Sequence, residues 1–475
     1  MKILKGIKPE KVFEFFEAIS AIPRGSGDTE KIRNYCIDFA KQRGLEYVAD
    51  KYGNIIIFKN AVNSESTESV IIQGHLDMVW EKNDECSINL ETDGLELCVD
   101  GDFIFAKGTT LGGDDGIAVA MGLALLDSDD IPHPPLEVVF TSDEEVGMTG
   151  ANGIDCSVLK GKRMINLDSE AEGTLWVSCA GGVRAEIGLP VEYTLNKNSA
   201  YEITVSGLHG GHSGAEIHNG YRNSNKVLGE LLARLKKATA FNIVDIGGGT
   251  ADNAITRSSF CVVSSSDDVV SEVEKIAADI CDEIKDTDPD AVISVNKTEN
   301  ENRCMNNEST ESVILLLNDF PSGVIAMSRE MTGLVETSLN LGIMKHSDGL
   351  FNCSFSVRSG VDGEKDKLCD RLKNIAANHS ASIRLRCPYP AWEYKKDSVL
   401  RDTMAEVYKD MFGKEMTVTA IHAGLECGLF CGKIKGLDCV SFGPDIFDIH
   451  TPCEKLSISS TERTWNYLLK VLRKL

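Results

Sequence analysis

Four short apolar runs within the first 170 residues constrain the fold more than any other feature. They are NIIIFK, SVIIQGH, LEVVFTS and RMINLD, and their apolar side chains stand at consecutive positions rather than at alternate ones. This pattern is typical of strands that are buried on both faces. A helical pattern, DGIAVAMGLALLDS, lies between two of them. The sequence therefore predicts an α/β domain with a mixed, largely parallel sheet.

The length of the chain predicts a second domain. A chain of 475 residues exceeds what one hydrophobic core usually holds. From residue 182 onward, strands with alternating polarity mix with amphipathic helices, as in an α+β domain. The run CPYPAW then precedes a return to helix–strand alternation. We predict that residues 182–386 form a domain inserted into a first domain, which is built from residues 1–181 and 387–475.

The net charge, the apolar runs and the cysteines indicate which partners and which cellular compartment the sequence favours. A net charge of −24 disfavours nucleic acid and anionic membranes as partners. No apolar run approaches the roughly 20 residues that span a bilayer, and the N-terminus lacks the apolar core of a signal peptide. The fifteen cysteines have no repeating spacing, and Cys427 and Cys431 lack a second pair with which to bind zinc. The sequence predicts a cytoplasmic protein with reduced thiols.

Acidic and imidazole side chains follow the strands of the first domain and open one of its helices. They are His75, Asp77, Asp114, Asp115, Glu144, Glu145 and Asp168. Each has an ordinary explanation when taken alone, such as a helix cap or a solvated pair. Ligand sites of open α/β sheets, however, lie beyond the carboxyl ends of the strands, so that these groups can converge. Several carboxylates in one crevice repel one another unless cations lie among them, and the pattern therefore favours a metal site.

The donor types indicate which metal would bind. Histidine with aspartate and glutamate, and without thiolate, suits zinc, with manganese or cobalt also possible. Two ions about 3.5–4 Å apart share a carboxylate and need further ligands on each side. A second histidine, His450, stands near the C-terminus in IFDIHTPCEKLSI. Glu144 and Glu145 would then face metal ions rather than each other.

Six motifs in order carry a resemblance to a known family. GHLDMV, GGDDGIA, SDEEVG, NLDSE, LHGGHSG and IHTP resemble the co-catalytic zinc metallopeptidases, which include aminoacylases, carnosine-type dipeptidases and tripeptidases. KGTTLGGDDGIAVAMGLALL and HAGLECGLF are most similar to the branch that contains aminoacyl-histidine dipeptidases (peptidase D type). Two positions depart from the wider family. Gly116 stands where lysine is frequent, and Thr256 stands where proline is commoner.

The resemblance implies a set of metal ligands. His75 and Asp168 would bind one zinc ion, Glu145 and His450 would bind the other, and Asp114 would bridge them. The implied domains are a catalytic domain and an inserted lid or dimerisation domain.

The resemblance also implies catalytic roles. Asp77 would orient His75, a role that fits their spacing of two residues. Glu144 would act as the general base, taking a proton from a water activated by metal and passing it to the leaving amine. In the inserted domain, His212 would stabilise the oxyanion. The substrate-binding residues would be Asn253, Arg358 and Gly424, with the Arg358 fork suited to a carboxylate.

Together these features predict a cytoplasmic two-zinc dipeptidase. Its substrates would be unblocked dipeptides of the Xaa-His type, including β-alanyl-histidine (carnosine). Three alternatives stay open at this point: a deacylase of N-acyl amino acids on the same scaffold, a catalytically silent metal- or peptide-binding module, and an acidic structural protein without metal. Monomer or homodimer, and supply of His212 from the same chain or from a partner, are also open.

Overall fold

A computed structural model describes residues 3–347 and 349–475. The chain separates into two compact units. The first comprises Met1–Ser178, Tyr394–Ala420 and Leu425–Leu475, and the second comprises Cys179–Glu393 and Ile421–Gly424. The functional division predicted at residues 181 and 386 stays a prediction.

The elements are numbered along the chain. The helices are α1 (Glu10–Ser20), α2 (Glu30–Gln42), α3 (Gly113–Asp127), α4 (Thr149–Gly153), α5 (Ser224–Ala238), α6 (Val270–Ile284), α7 (Asn307–Asp319), α8 (Asp362–Asn378), α9 (Val399–Phe412), α10 (Glu426–Lys433) and α11 (Ile458–Lys474). The strands are β1 (Glu46–Ala49), β2 (Ile55–Lys59), β3 (Val70–His75), β4 (Leu97–Asp100), β5 (Phe103–Ala106), β6 (Leu136–Thr141), β7 (Arg163–Asn166), β8 (Thr174–Cys179), β9 (Gly181–Pro190), β10 (Tyr193–Leu195), β11 (Ser199–Ser206), β12 (Asn242–Gly248), β13 (Ser259–Ser265), β14 (Val292–Thr298), β15 (Arg303–Met305), β16 (Gly323–Met327), β17 (Val335–Ser347), β18 (Leu350–Ser359), β19 (Ser382–Tyr389), β20 (Thr417–Ile421), β21 (Asp438–Ser441), β22 (Ile446–Phe447) and β23 (Lys455–Ser457).

The main sheet of the first unit has the order β1-β2-β6-β3-β7-β21-β8-β20. Its four central strands, β6, β3, β7 and β21, run parallel to one another, while β2 and β8 flank them in antiparallel pairings. Every residue of β3 and β6 is buried, as their continuous apolar runs predict. The predicted α/β class with a mixed sheet is confirmed, with its parallel part at the centre.

Helix α3 positions acidic residues at one edge of this sheet. Its residues from Gly113 to Leu126 are all buried, as expected for a helix that is apolar on every side. It packs against β3 and α1, and its first turn carries Asp114 and Asp115.

The boundaries of α2 differ in part from those the sequence predicts. The pattern predicts a cap at Asp28 and an end before Gly44. The end is confirmed, because Gly44 has a φ of +64° and follows the last helical turn. The cap is wrong: the residue before the helix is Thr29, and its side chain makes no capping hydrogen bond. Neighbouring Asp28 donates its backbone N–H to the Gly25 carbonyl instead, within a turn.

The second unit is built on an antiparallel sheet of order β14-β11-β13-β12-β17-β18-β9-β19, with β16 paired to β17. Apolar side chains from α5 to α8 and from this sheet form one buried cluster, which includes Leu231, Ile276, Leu317, Leu372 and Phe355. The predicted α+β character is confirmed. Among the described residues of both units, no helix has the length and apolar character that crossing a membrane requires.

Candidate metal centre and active site

The candidate ligands of the first unit gather at one edge of the main sheet. His75 is the last residue of β3, Asp168 lies two residues beyond β7, and Glu145 lies in the turn after β6. Because parallel strands end at the same edge, these side chains converge there. Asp114 reaches the same place from the first turn of α3, and His450 reaches it from the loop after β22.

Asp114 lies between two groups of donors. Its Oδ1 is 3.1 Å from His75 Nε2, and its Oδ2 is 3.2 Å from His450 Nε2. On one side, Asp168 Oδ1 lies 3.6 Å from His75 Nε2. On the other side, Glu145 Oε1 lies 3.0 Å from His450 Nε2. The structure thus brings the five sequence-predicted ligands together around Asp114.

The charges of this cluster fit a cation. Burial, reinforced by the neighbouring Asp168 carboxylate, raises the pKa of Asp115 and Glu144 well above the usual range. Burial disfavours the charged form of His75, but the carboxylates of Asp168, Asp114 and Asp77 outweigh it and raise the pKa of this imidazole. Bound divalent cations would relieve this excess of negative charge, and imidazole with carboxylate donors suits Zn²⁺, Mn²⁺ or Co²⁺.

Asp77 contacts both His75 and the turn after β6. It is fully buried, and its Oδ1 lies 3.4 Å from His75 Nδ1. Its carboxylate also accepts hydrogen bonds from Ser26 Oγ (2.8 Å) and from the backbone N–H groups of Glu144 (3.0 Å) and Glu145 (3.3 Å). Although burial opposes ionisation, the neighbouring His75 imidazole, followed by the hydrogen bonds from Ser26 and Glu144, lowers the pKa of Asp77 to about 2. His75 Nδ1 also lies 3.2 Å from the Asp77 carbonyl oxygen, so Asp77 contacts both this imidazole and the turn that bears two glutamates.

Within the second unit, His212 has a defined hydrogen-bonding state. Its Nδ1 accepts the backbone N–H of Ala215 at 3.0 Å, so that the neutral ring carries its proton on Nε2. Burial, together with the charge of Arg358, lowers the pKa of His212 and favours this neutral form. The backbone carbonyl of Asn253 accepts the N–H of Ser213 at 2.8 Å, which places the Asn253 loop beside the His212 loop.

Arg358 belongs to a second cluster of the same unit. Its Nη1 donates to the Tyr389 hydroxyl at 3.1 Å, and a Cβ atom added to Gly424 would lie 2.8 Å from the Tyr389 ring. His422 Nε2 lies 2.7 Å from Ser338 Oγ. Burial and the Arg358 charge lower the pKa of His422 to about 3. Among the described residues, neither Arg358 Nε nor His422 Nδ1 has a hydrogen-bond partner, although both are buried.

Residues 71–474 match the family model described as peptidase family M20/M25/M40. This chain belongs to that peptidase family. The resemblance drawn from its motifs is confirmed, and so is the predicted enzyme class: the protein is a peptide hydrolase.

Two relatives match this peptidase over nearly its whole length. The cytosol non-specific dipeptidase of Escherichia coli (strain K12) is 34% identical over 482 aligned positions, covering 100% of this chain and 99% of the relative. The crystal structure of aminoacylhistidine dipeptidase from Vibrio alginolyticus has a TM-score of 0.94 at 32% identity, covering 99% of this chain and 98% of that one. An aminopeptidase from Bacillus cereus, at 14% identity and a TM-score of 0.57 (98% of this chain and 99% of that one), shares the fold.

A residue without a predicted role, Glu454, holds the turn of the peptidase that carries Asp114. Glu454 is buried, and its two oxygens accept the backbone N–H groups of Leu111 (2.7 Å), Gly112 (2.9 Å), Gly113 (2.8 Å) and Asp114 (3.3 Å). Gly113 and Asp114 are among the donors that a helix leaves free at its beginning, and Leu111 and Gly112 directly precede the helix. Glu454 therefore fixes the turn from which Asp114 projects.

Arg24 is a buried cation on the other side of the same turn. Only 1% of its surface is exposed. Its Nη1 donates to the carbonyls of Leu76 and Asp77, each at 3.0 Å, and its Nη2 donates to the Gly112 carbonyl. It thus joins the strand end that carries His75 to the turn that carries Asp114. The lack of a side chain at Gly116 leaves room for the Arg24 guanidinium, because a Cβ atom at this position would lie 2.4 Å from Arg24 Nη2.

We expect Gly116→Ala to destabilise the peptidase. The added methyl group would press on the buried guanidinium and lie 3.2 Å from the Phe16 ring, and overpacking of this kind costs about 1–3 kcal/mol. Urea unfolding of the metal-free protein measures the change. Gly363→Ala is the matched control, because no heavy atom lies within 4 Å of a Cβ added there. Equal stability of the two variants would contradict this account of Gly116.

Proposed function

We propose that this peptidase is a cytoplasmic dipeptidase that binds two divalent metal ions, zinc foremost, and hydrolyses unblocked dipeptides, with Xaa-His dipeptides among its substrates. The observation that carries the two-ion proposal is the Asp114 carboxylate, whose two oxygens lie 3.1 Å from the His75 imidazole and 3.2 Å from the His450 imidazole. The dipeptide proposal is supported by the names of the two full-length relatives, one called non-specific and the other aminoacylhistidine.

In this proposal His75 and Asp168 hold one ion, Glu145 and His450 hold the other, and Asp114 is shared. When bound, the ions supply Lewis-acid activation of water and of the scissile carbonyl. The geometry of the donor set supports this division, because each imidazole has its own carboxylate neighbour besides Asp114.

The protein's own residues would perform the proton transfers and orient the substrate. Glu144 would take a proton from the attacking water on its carboxylate and deliver it to the leaving amine. The His212 Nε2–H would donate to the developing oxyanion. The Arg358 guanidinium, with a buried Nε available, would bind the substrate carboxylate, and Asn253 and Gly424 would complete the binding site. Residues 182–386 would serve as the lid or dimerisation domain.

A substrate panel tests the function. Metal-free protein is reloaded with Zn²⁺, Mn²⁺ or Co²⁺ and assayed on Xaa-His dipeptides including carnosine, on other dipeptides, on N-terminally blocked dipeptides and on N-acyl amino acids. We expect turnover of unblocked dipeptides only, and its loss when a chelator removes the metal. Turnover of N-acyl amino acids alone would establish a deacylase instead. Metal binding without any turnover would establish a silent binding module.

A further inference from the structure

Two buried side-chain amides form a chain of hydrogen bonds that begins at the backbone N–H of Asp168, a candidate metal ligand. The backbone N–H of Asp168 donates to Asn166 Oδ1 (3.3 Å), and Asn166 Nδ2 donates to Gln73 Oε1 (2.6 Å). Gln73 Nε2 in turn donates to Glu426 Oε2 (2.6 Å). Each amide accepts through its oxygen and donates through its nitrogen, so that all the bonds run in one direction. The Glu426 carboxyl is the acceptor at the end.

A second donor ties a third strand to the same carboxyl oxygen. Thr141 Oγ1 donates to Glu426 Oε2 at 2.7 Å. Asn166, Gln73 and Thr141 stand at or near the ends of β7, β3 and β6, which are adjacent parallel strands. All four side chains are at most 1% exposed. Glu426 therefore links three strand ends at the edge where the candidate ligands leave the sheet.

Each tied residue lies just before a member of the candidate centre. Gln73 is two residues before His75, Asn166 is two residues before Asp168, and Thr141 is three residues before Glu144. Because side chains two apart on a strand project from the same face, fixing Gln73 also restrains the direction of His75, which shares β3 with it. Asp168 lies beyond the end of β7, and Asn166 restrains it through the hydrogen bond that its Oδ1 accepts from the Asp168 N–H.

Glu426 also has an unpaired oxygen. Its Oε1 is buried and has no hydrogen-bond partner among the described residues. A buried carboxyl group that is only half satisfied is costly, and an apolar residue beginning α10 would avoid this cost. The candidate centre is close enough that His75, Asp168 and Asp77 all act electrostatically on Glu426. The cost of burying this half-satisfied carboxyl group therefore falls at a position that acts electrostatically on the candidate metal centre.

We infer that Glu426 is a positioning residue of this peptidase: as the common acceptor for Gln73 and Thr141, it holds the strand ends that present His75 and Asp168, so that the metal centre is formed before metal binds. This inference rests on the proposed function for the identity of the ligands. It adds a residue on α10 that contributes through hydrogen bonds rather than as a ligand.

The test is the zinc affinity of the metal-free protein, measured by competition with a chromophoric chelator. Glu426→Ala removes the nearest acceptor of two buried donors, so that Gln73 Nε2 keeps only Thr141 Oγ1 at 3.2 Å and Thr141 Oγ1 keeps only the Gly74 carbonyl at 3.4 Å. Loss of such support for metal ligands typically costs 10–100-fold, so we expect affinity to fall by about that factor. Glu426→Gln should recover most of the loss, because its amide oxygen can accept both hydrogen bonds. If Gln binds zinc as weakly as Ala, charge rather than positioning is responsible, and the inference is wrong.

Glu137→Ala is the matched control. Glu137 is a buried glutamate on β6, at the opposite end from Thr141, and accepts backbone N–H groups of Lys160 and Gly161. Its loss should lower stability and leave zinc affinity unchanged, so an equal loss of affinity would overturn the inference. Should Glu426→Ala fail to fold, Thr141→Val removes one of the two bonds at nearly constant volume. Unchanged zinc affinity in Thr141→Val would then overturn the inference.

The same titration separates this inference from the proposed function. If the wild-type protein binds no zinc, the proposed metal centre fails and the inference fails with it. If the wild-type protein and Glu426→Ala bind zinc equally, only the inference fails. If Glu426→Ala binds zinc more weakly but the wild type cleaves no dipeptide, the inference holds and the proposed substrate class fails.

Discussion

Glu144→Ala is expected to abolish nearly all turnover while the protein keeps its metal. The two glutamates of the turn after β6 have different surroundings. Glu145 Oε1 lies 3.0 Å from His450 Nε2, whereas burial, reinforced by neighbouring carboxylates such as Asp168, raises the pKa of Glu144. A group of this kind is suited to take up a proton. General-base catalysis alone contributes about 10²–10⁴ in rate, and the same carboxyl would also deliver the proton to the leaving amine. Steady-state kinetics together with metal analysis of the purified variant measures both effects.

Asp114→Ala provides the contrast for that experiment. It removes the carboxylate that lies between both imidazoles, so we expect loss of metal together with loss of activity. If Glu144→Ala and Asp114→Ala lost metal to the same extent, the distinction between base and ligand would be wrong. Glu144→Gln, which preserves the volume of the side chain, should behave as Glu144→Ala does.

His212→Ala is expected to lower kcat about 10²–10³-fold, the usual effect of removing one oxyanion donor. The Ala215 N–H occupies His212 Nδ1, which leaves the Nε2 proton as the available donor. Because such a donor acts chiefly in the transition state, KM should change only modestly and metal content should stay unchanged. His218→Ala is the control: this histidine is exposed in the same segment and should behave as wild type. Near-normal kcat in His212→Ala would make His212 a structural loop residue.

Mixing the two inactive variants decides which chain supplies His212. Glu144→Ala and His212→Ala proteins are combined under conditions that allow subunits to exchange. Recovered activity would mean that a partner subunit provides the imidazole, since only then can a mixed dimer hold one intact site. If activity is not recovered although exchange is demonstrated, each chain supplies its own His212.

The residues of the candidate centre that can be predicted are those whose neighbours in sequence form a recognisable strand or turn pattern. His75 and Asp168 stand at the ends of apolar runs, and Asp114 stands in a glycine-rich turn before a helix. Strand burial and strand-end position follow from such patterns alone. Their convergence follows in turn, because the central strands are parallel.

The supporting residues could not be predicted in the same way. Glu426 meets Gln73 across 353 positions of sequence, and Arg24 meets the Asp77 carbonyl across 53. The local periodicity of apolar and polar residues contains no information about such long-range pairings. One signal was nevertheless available, since Gln73 and Glu426 are polar residues inside apolar stretches, SVIIQGH and GLECGLF. A buried polar side chain requires a partner, and these two are partners of each other.

The brief return of the chain to the second unit, at Ile421–Gly424, determines how chimaeras of this protein must be built. The Ala180 N–H donates to the carbonyls of Ile421 (3.2 Å) and Ala423 (3.1 Å), and His422 is paired with Ser338. A recombination that exchanged residues 179–393 alone would combine one parent's unit with the other parent's four residues. The buried imidazole of His422 would then come from one parent and its partner, Ser338, from the other. Crossover points for a faithful exchange therefore come in two pairs, one around 179–393 and one around 421–424.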